Sequence, residues 1–232
     1  MRLVLFDIDG TILLTDGAGR RAIHRALLEL VGAAGPIGDH RFDGKTDPQI
    51  VRELLSLAGH GDTGMQERIQ AVCDRYLELL EDELTRPTQT RVMAGVRELL
   101  AALAGPEAAG AALVGLLTGN LERGAALKLR SAGIDPTRFA VGAYGSDAPD
   151  RPLLPAIART RAESLTGRTI AGADVIVIGD TPDDVACARP IGARTVAVAT
   201  GRYDVGSLAA AGATHVFADL SDTAAVLEAL LA

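Results

Sequence analysis

Six short apolar runs constrain this chain most: Leu3 to Phe6, Ala112 to Leu117, Phe139 to Ala143, Val175 to Ile178, Thr195 to Val198 and His215 to Phe217. From Val114 onward they alternate with stretches of helical periodicity, which is the pattern of βαβ units. The expected fold is α/β, a Rossmann-like parallel sheet core with helices on both faces. One interval breaks the alternation. Between residues 15 and 90 the apolar period is 3.6, with stripes at Ile23, Ala26, Leu27, Leu30 and Val31, at Ile50, Val51, Leu54 and Leu55, and at Met65, Ile69, Val72, Tyr76, Leu79 and Leu80. Asp47 followed by Pro48 reads as an N-cap and a first-turn proline, and Gly59 as a stop. The expectation is an inserted α-helical cap over residues 15–88 and a core made of 1–14 and 89–232, with joints near Thr15 to Gly17 and Thr88 to Thr90. Such a cap would sit over the carboxyl end of the first strand, where open α/β sheets bind ligands.

A net charge of -7 and 3% aromatic residues argue against a nucleic-acid surface, which needs clustered cations and stacking rings. Cys73 and Cys187 lie far apart, without a C-x-x-C motif or a nearby histidine pair, so buried reduced thiols are expected rather than a disulfide or zinc site. His24, His40, His60 and His215 are scattered and suggest no ligand set. No apolar run approaches the roughly 20 residues of a membrane span, and the first strand begins at residue 2, so a cytoplasmic protein without a membrane partner is expected.

The chemistry concentrates where strands end. In "LVLFDIDGTIL" Asp7 and Asp9 close the first apolar run, and residues two apart on a strand face the same side. "LLTGN" places Thr118 at a strand end and Asn120 in N-cap position before a helix, an arrangement suited to an anion. "VIVIGDTPDD" ends a strand at Asp180, with Asp184 four residues later. "SDAPDRPLLP" carries Arg151 in a loop. Each residue alone has an ordinary explanation: a turn aspartate, a hydroxyl in a first helical turn, an exposed Arg151–Asp150 pair, or, for Thr181 and Asp184, a capping box with Pro182 at N1. Acids converging from two strand ends, however, make a site for a hard cation such as Mg2+, which takes a few oxygen ligands and usually shares them with a phosphate.

The order "DIDGT", "LLTGN", "GDTPDD", each flanked by strands, resembles the haloacid dehalogenase superfamily across essentially the whole chain, and the helical insert resembles its type-1 cap as found in phosphoglycolate-phosphatase-like enzymes. The resemblance implies a nucleophile at Asp7, an acid–base at Asp9, phosphoryl contacts from Thr118, Gly119 and Asn120, and magnesium held by Asp7, Asp9 and Asp180 with support from Asp184. It implies a phosphatase acting on a small phosphorylated metabolite, as monomer or homodimer. A sugar-phosphate mutase or a non-catalytic phosphate or metal binder is the alternative. Hydrolytic dehalogenase chemistry would need neither Asp9 nor Asp180, and a phosphonatase would need a Schiff-base lysine, for which Lys45 is the sole lysine in the cap. Specificity would come from cap residues such as Arg20, Lys45 and Thr46, with Lys45 a candidate phosphate contact. Where the family commonly carries a lysine before a proline, this chain has Arg151-Pro152. Arg151 is therefore the preferred cation and Lys128 the second, because Lys128 lies well along its helix between Leu127 and Leu129 with its ammonium expected toward solvent.

Overall fold

All six apolar runs are strands of one sheet in the computed structural model, which describes residues 1–85 and 90–232. In chain order the elements are β1 (Arg2–Phe6), β2 (Leu13–Leu14), α1 (Ala18–Val31), α2 (Asp47–Leu57), α3 (Met65–Thr85), β3 (Arg91–Val92), α4 (Val96–Ala108), β4 (Ala112–Leu117) and α5 (Glu122–Ser131). They continue with β5 (Val141–Ala143), α6 (Leu154–Thr166), β6 (Val175–Gly179), α7 (Pro182–Ala188), β7 (Arg194–Val198), α8 (Val205–Ala210), β8 (His215–Phe217) and α9 (Thr223–Leu231). The sheet order is β5-β4-β1-β6-β7-β8, and every pairing is parallel.

Strand periodicity explains the layers. Val4, Phe6, Val114, Leu116, Ile176, Ile178, Val196 and Val198 pack on one face with Leu99 and Leu103 of α4, Leu129 of α5 and Leu230 of α9. Their sequence neighbours Leu3, Leu5, Leu117, Val175 and Val177 point the other way, against Leu154, Ala158 and Ala162 of α6 and Ala188 of α7. Burying each such aliphatic side chain contributes roughly 1.5–3 kcal/mol, which is why the continuous apolar strands of a two-faced sheet read so plainly in sequence. β5 is shorter than its apolar run, because Pro136–Arg138 form a 3₁₀ turn that delivers Phe139 before the strand starts, edge-on to Phe6 with ring centroids 6.3 Å apart.

The three helical stripes also pack together. Ile23 and Leu27 of α1, Val51 and Leu55 of α2, and Ile69, Tyr76 and Leu80 of α3 form a separate cluster that meets the sheet domain through Leu121. Leu30, read as part of the first stripe, is exposed. The buried Glu83 of α3 is held by Arg21 at 2.8 Å and Arg25 at 3.3 Å.

Two details differ from the sequence reading. The cap of α2 is Thr46 rather than Asp47: the Thr46 hydroxyl accepts from Gln49 N at 3.2 Å, while Asp47 already has helical backbone and turns its carboxylate elsewhere. Residues 13–14 and 91–92, on either side of the helical segment, pair as a two-stranded antiparallel ribbon too short to leave a periodic signal. At the first joint Asp16 and Gly17 are both left-handed, with φ of 47° and 76°. The second, expected at Thr88 to Thr90, falls largely on residues 86–89, outside the described residues.

Candidate active site

A cavity of about 550 Å³ opens between the carboxyl ends of β1, β4 and β6 and helices α1 to α3, lined among others by Asp7, Asp9, Thr118, Lys128, Arg151 and Asp180. β1 ends at Phe6, and the backbone then turns tightly, with the amides of Thr11, Ile12 and Leu13 all donating to Ile8 O. Asp7 and Asp9 therefore reach the cavity from a turn rather than from one strand face. Gly10 permits that turn: its φ is +86°, and a Cβ there would stand 2.3 Å from an Asp180 oxygen.

On the sheet side, Asp7, Asp180 and Asp184 are buried, and one carboxylate oxygen from each lies within 4.8 Å of the others. Asp184 closes the expected capping box, accepting from Thr181 N at 3.0 Å and Thr181 Oγ1 at 2.6 Å. Its other oxygen accepts from Arg151, whose Nη2 also stands 3.2 Å from Asp7 Oδ1. Arg151, in a 3₁₀ turn before α6, is buried, and its Nε has no hydrogen-bond partner among the described residues. It thus pairs with Asp7 and Asp184 instead of Asp150.

Burial raises the pKa of Asp7 despite Arg151, and burial together with Asp184 and Asp7 pushes Asp180 further, to about 9. The residues fit a divalent cation on this ground. Three carboxylates share one guanidinium here, so full ionisation leaves two negative charges uncompensated, the deficit that such an ion removes.

Around Asp9 the grouping is different. Lys128 Nζ donates to both oxygens of Asp9, at 2.8 and 2.6 Å, and to Asn120 Oδ1 at 2.6 Å, so all three ammonium protons are used. This corrects the expectation that Lys128 faces solvent, since it is only 4% exposed. Lys128 lies six residues into α5, about 9 Å along the axis, but helical Cα–Cβ bonds tilt toward the N-terminus and a long stem carries the charge back to the cleft. Asn120 is not the N-cap of α5 either; Leu121 holds that position without a side-chain cap. Its amide donates to Asp9 Oδ2 and Thr118 Oγ1, both at 2.8 Å, leaving the Thr118 hydroxyl proton for an acceptor in the cavity.

The loop before α2 seals the other wall. Asp47 N donates to Gly119 O at 2.8 Å, Leu121 N donates to Asp47 Oδ2 at 2.9 Å, and Thr46 Oγ1 donates to Pro149 O at 2.7 Å. Gly119 is obligatory, because a Cβ there would lie 2.0 Å from Lys45 O. Lys45 lines the cavity with its ammonium paired to Glu53, which His40 Nε2 also meets at 2.9 Å. Arg20 lines it too, bound to His40 O at 3.0 Å and stacked 4.0 Å from the Phe42 ring centre.

Sequence reasoning missed Asp47 and Tyr76. Both line the cavity and are buried, and burial raises the Asp47 carboxyl to about 6. In sequence Asp47 carries only a capping signal and Tyr76 only an apolar stripe, so neither announced itself.

The family model of haloacid dehalogenase-like hydrolases matches residues 1–192. Three solved structures share the fold over nearly the full length of both chains. A hydrolase from Pseudomonas syringae has 21% identity and a TM-score of 0.74, covering 100% of this chain and 99% of that one. A predicted phosphoglycolate phosphatase from Haemophilus somnus has 18% identity and a TM-score of 0.67, with 98% of each chain covered. A β-phosphoglucomutase from Clostridium difficile has 17% identity and a TM-score of 0.70, covering 98% and 96%. No curated protein matches the chain. With its sheet order, its acids at the ends of β1 and β6 and a family match over most of its length, this chain belongs to the haloacid dehalogenase-like hydrolases.

Proposed function

We propose that this chain is a magnesium-dependent phosphatase that hydrolyses a small phosphate monoester through an aspartyl-phosphate intermediate. One observation carries the reading: Asp7 stands between a guanidinium and two further acids, while Asp9, two residues on, is held apart by its own lysine. A nucleophile and a proton-transfer group need such different surroundings.

Asp7 attacks phosphorus and forms the acyl phosphate as the P–O bond to the alcohol breaks. Asp9 delivers a proton to the departing oxygen, then takes one from the water that attacks phosphorus and frees Asp7. Lys128 and Asn120 fix the orientation of the Asp9 carboxylate throughout. Thr118 and the Gly119 and Asn120 amides bind phosphoryl oxygens, and Arg151 neutralises charge gathering between Asp7 and the phosphoryl group. Asp7, Asp180 and the Asp9 carbonyl would hold magnesium, with Asp184 behind them, and the ion would supply charge neutralisation at the phosphoryl oxygens. Residues 15–88 act as the cap that excludes bulk water.

The names of similar structures, a phosphoglycolate phosphatase and a β-phosphoglucomutase among them, support a phosphoester substrate. The test is release of inorganic phosphate from a panel of phosphorylated metabolites. Release that needs magnesium and stops in excess EDTA is expected. Undiminished release in EDTA refutes the metal requirement, and an isomeric phosphate ester formed without free phosphate makes the protein a mutase.

A further inference from the structure

Tyr76 is wholly buried on α3, yet its side chain lines the cavity and its hydroxyl makes no hydrogen bond of good geometry to any described residue. A buried hydroxyl whose neighbouring carboxylate, Asp47, engages it only in poor geometry is incompletely satisfied, so a cavity-lining one leaves room for an occupant that completes the bonding. Its surroundings define that occupant. The point where a Cβ on Gly19 would sit is 3.7 Å from both Tyr76 Oη and Lys128 Nζ, so a glycine on α1 leaves open the space beside both. Lys128 in turn holds Asp9, which places this space next to the group that would protonate the leaving oxygen. Asp47 is the acid that acts most strongly on the Tyr76 hydroxyl, and burial with Asp47 keeps its proton in place as a donor.

We propose that Tyr76 Oη, with Asp47 beside it, recognises a neutral hydroxyl carried by the alcohol part of the substrate on the carbon next to the ester carbon. A hydroxyl can accept from Tyr76 and donate to Asp47 at once. A carboxylate in the same place would face Asp47 and Asp9, with the Lys128 ammonium already engaged by Asp9 and Asn120, and an alkyl group would leave the Tyr76–Asp47 contact uncompleted. The preferred class is therefore the phosphate monoester of a vicinal polyol, and Tyr76 is a specificity-determining residue. The inference rests on the phosphatase reading for the position of the phosphate.

Calorimetric binding to the Asp7→Asn protein with magnesium tests it without depending on turnover. Glycerol 1-phosphate, propyl phosphate and phosphoglycolate are the probes. Glycerol 1-phosphate should bind about fivefold to tenfold more tightly than propyl phosphate, the scale of one hydrogen bond that satisfies a buried group, and more tightly than phosphoglycolate. Adding Tyr76→Phe should bring the glycerol-to-propyl ratio close to one. Gly19→Ala, which places a methyl group at ordinary contact distance from both atoms, should lower the same ratio and provides a variant that leaves the tyrosine in place. Equal affinities for glycerol and propyl phosphate, tighter binding of phosphoglycolate, or a preference that survives Tyr76→Phe would each overturn the proposal. Failure of the wild-type protein to release phosphate from any monoester would instead sink the phosphatase reading, and the binding ratios would still decide the role of Tyr76.

Discussion

On the Asp7 side of the cavity three acids share one arginine among the described residues, whereas on the Asp9 side a lysine and an amide converge on a single acid. The first grouping has an excess of negative charge and raised acid pKa values, and it is suited to receive a cation and an electron-poor phosphorus centre. The second is internally balanced, with every ammonium proton of Lys128 engaged, and it fixes the orientation of a carboxylate, as the proposed acid–base role of Asp9 requires. Two carboxylates two residues apart thus acquire different chemistry from cations on different helical segments.

The largest test of that difference is at Asp7, the proposed nucleophile. Asp7→Asn keeps the side-chain shape but removes the attacking oxygen, and turnover should fall about a thousandfold or more, measured as phosphate release by folded protein. Full activity in that variant would place the nucleophile elsewhere and erase the contrast. Arg151→Ala comes next, because among the described residues it strips the only guanidinium that meets Asp7 and Asp184. Turnover should drop about a hundredfold, the scale of one lost electrostatic stabiliser. Lys128→Ala should cost tens-fold, since it frees Asp9 to rotate without touching Asp7. A loss larger than that of Arg151→Ala would show that orientation of the acid outweighs charge at the nucleophile.

The two sides also differ in how much of them could be read from the sequence. The Asp7 side was legible because the acids follow apolar strands directly, and a buried strand announces both itself and its end: Asp7 follows Phe6, and Asp180 follows Gly179. The order of helices and strands was legible for the same reason, each face carrying its own period. The Asp9 side depends on distances that no local pattern encodes. Lys128 reaches Asp9 only because its long stem leans back toward the start of α5, and Asp47 and Tyr76 enter the site only when α2 packs on the loop at Gly119 and α3 packs on α5. Their sequence signals, a cap and an apolar stripe, are those of ordinary helix construction. The ribbon of Leu13–Leu14 with Arg91–Val92 is shorter than any periodic window.

The smallest expected effect lies at the contact between the two sides. The Asp47 carboxylate is buried where it accepts from Leu121 N at 2.9 Å, with Lys128 and Asp9 as its charged neighbours and Tyr76 beside it. Burial is the dominant influence and lifts its pKa from 3.8 to about 6. Between those values the folded chain retains a proton that the unfolded chain has lost, so this group's contribution to stability falls as pH rises through the window and levels off above it. Asp47→Asn keeps an acceptor for Leu121 N but cannot ionise. Relative to wild type, it should therefore gain stability on going from pH 4 to pH 7, by an amount on the order of 2 kcal/mol for a shift of this size. Denaturant unfolding of both proteins at the two pH values isolates the effect, because every other titrating group is common to them. A wild-type protein that gains as much as the variant over this interval would mean that the Lys128 charge and the Leu121 amide offset the burial of Asp47 in full, so that α2 packs against the loop at Gly119 without an electrostatic cost at this residue.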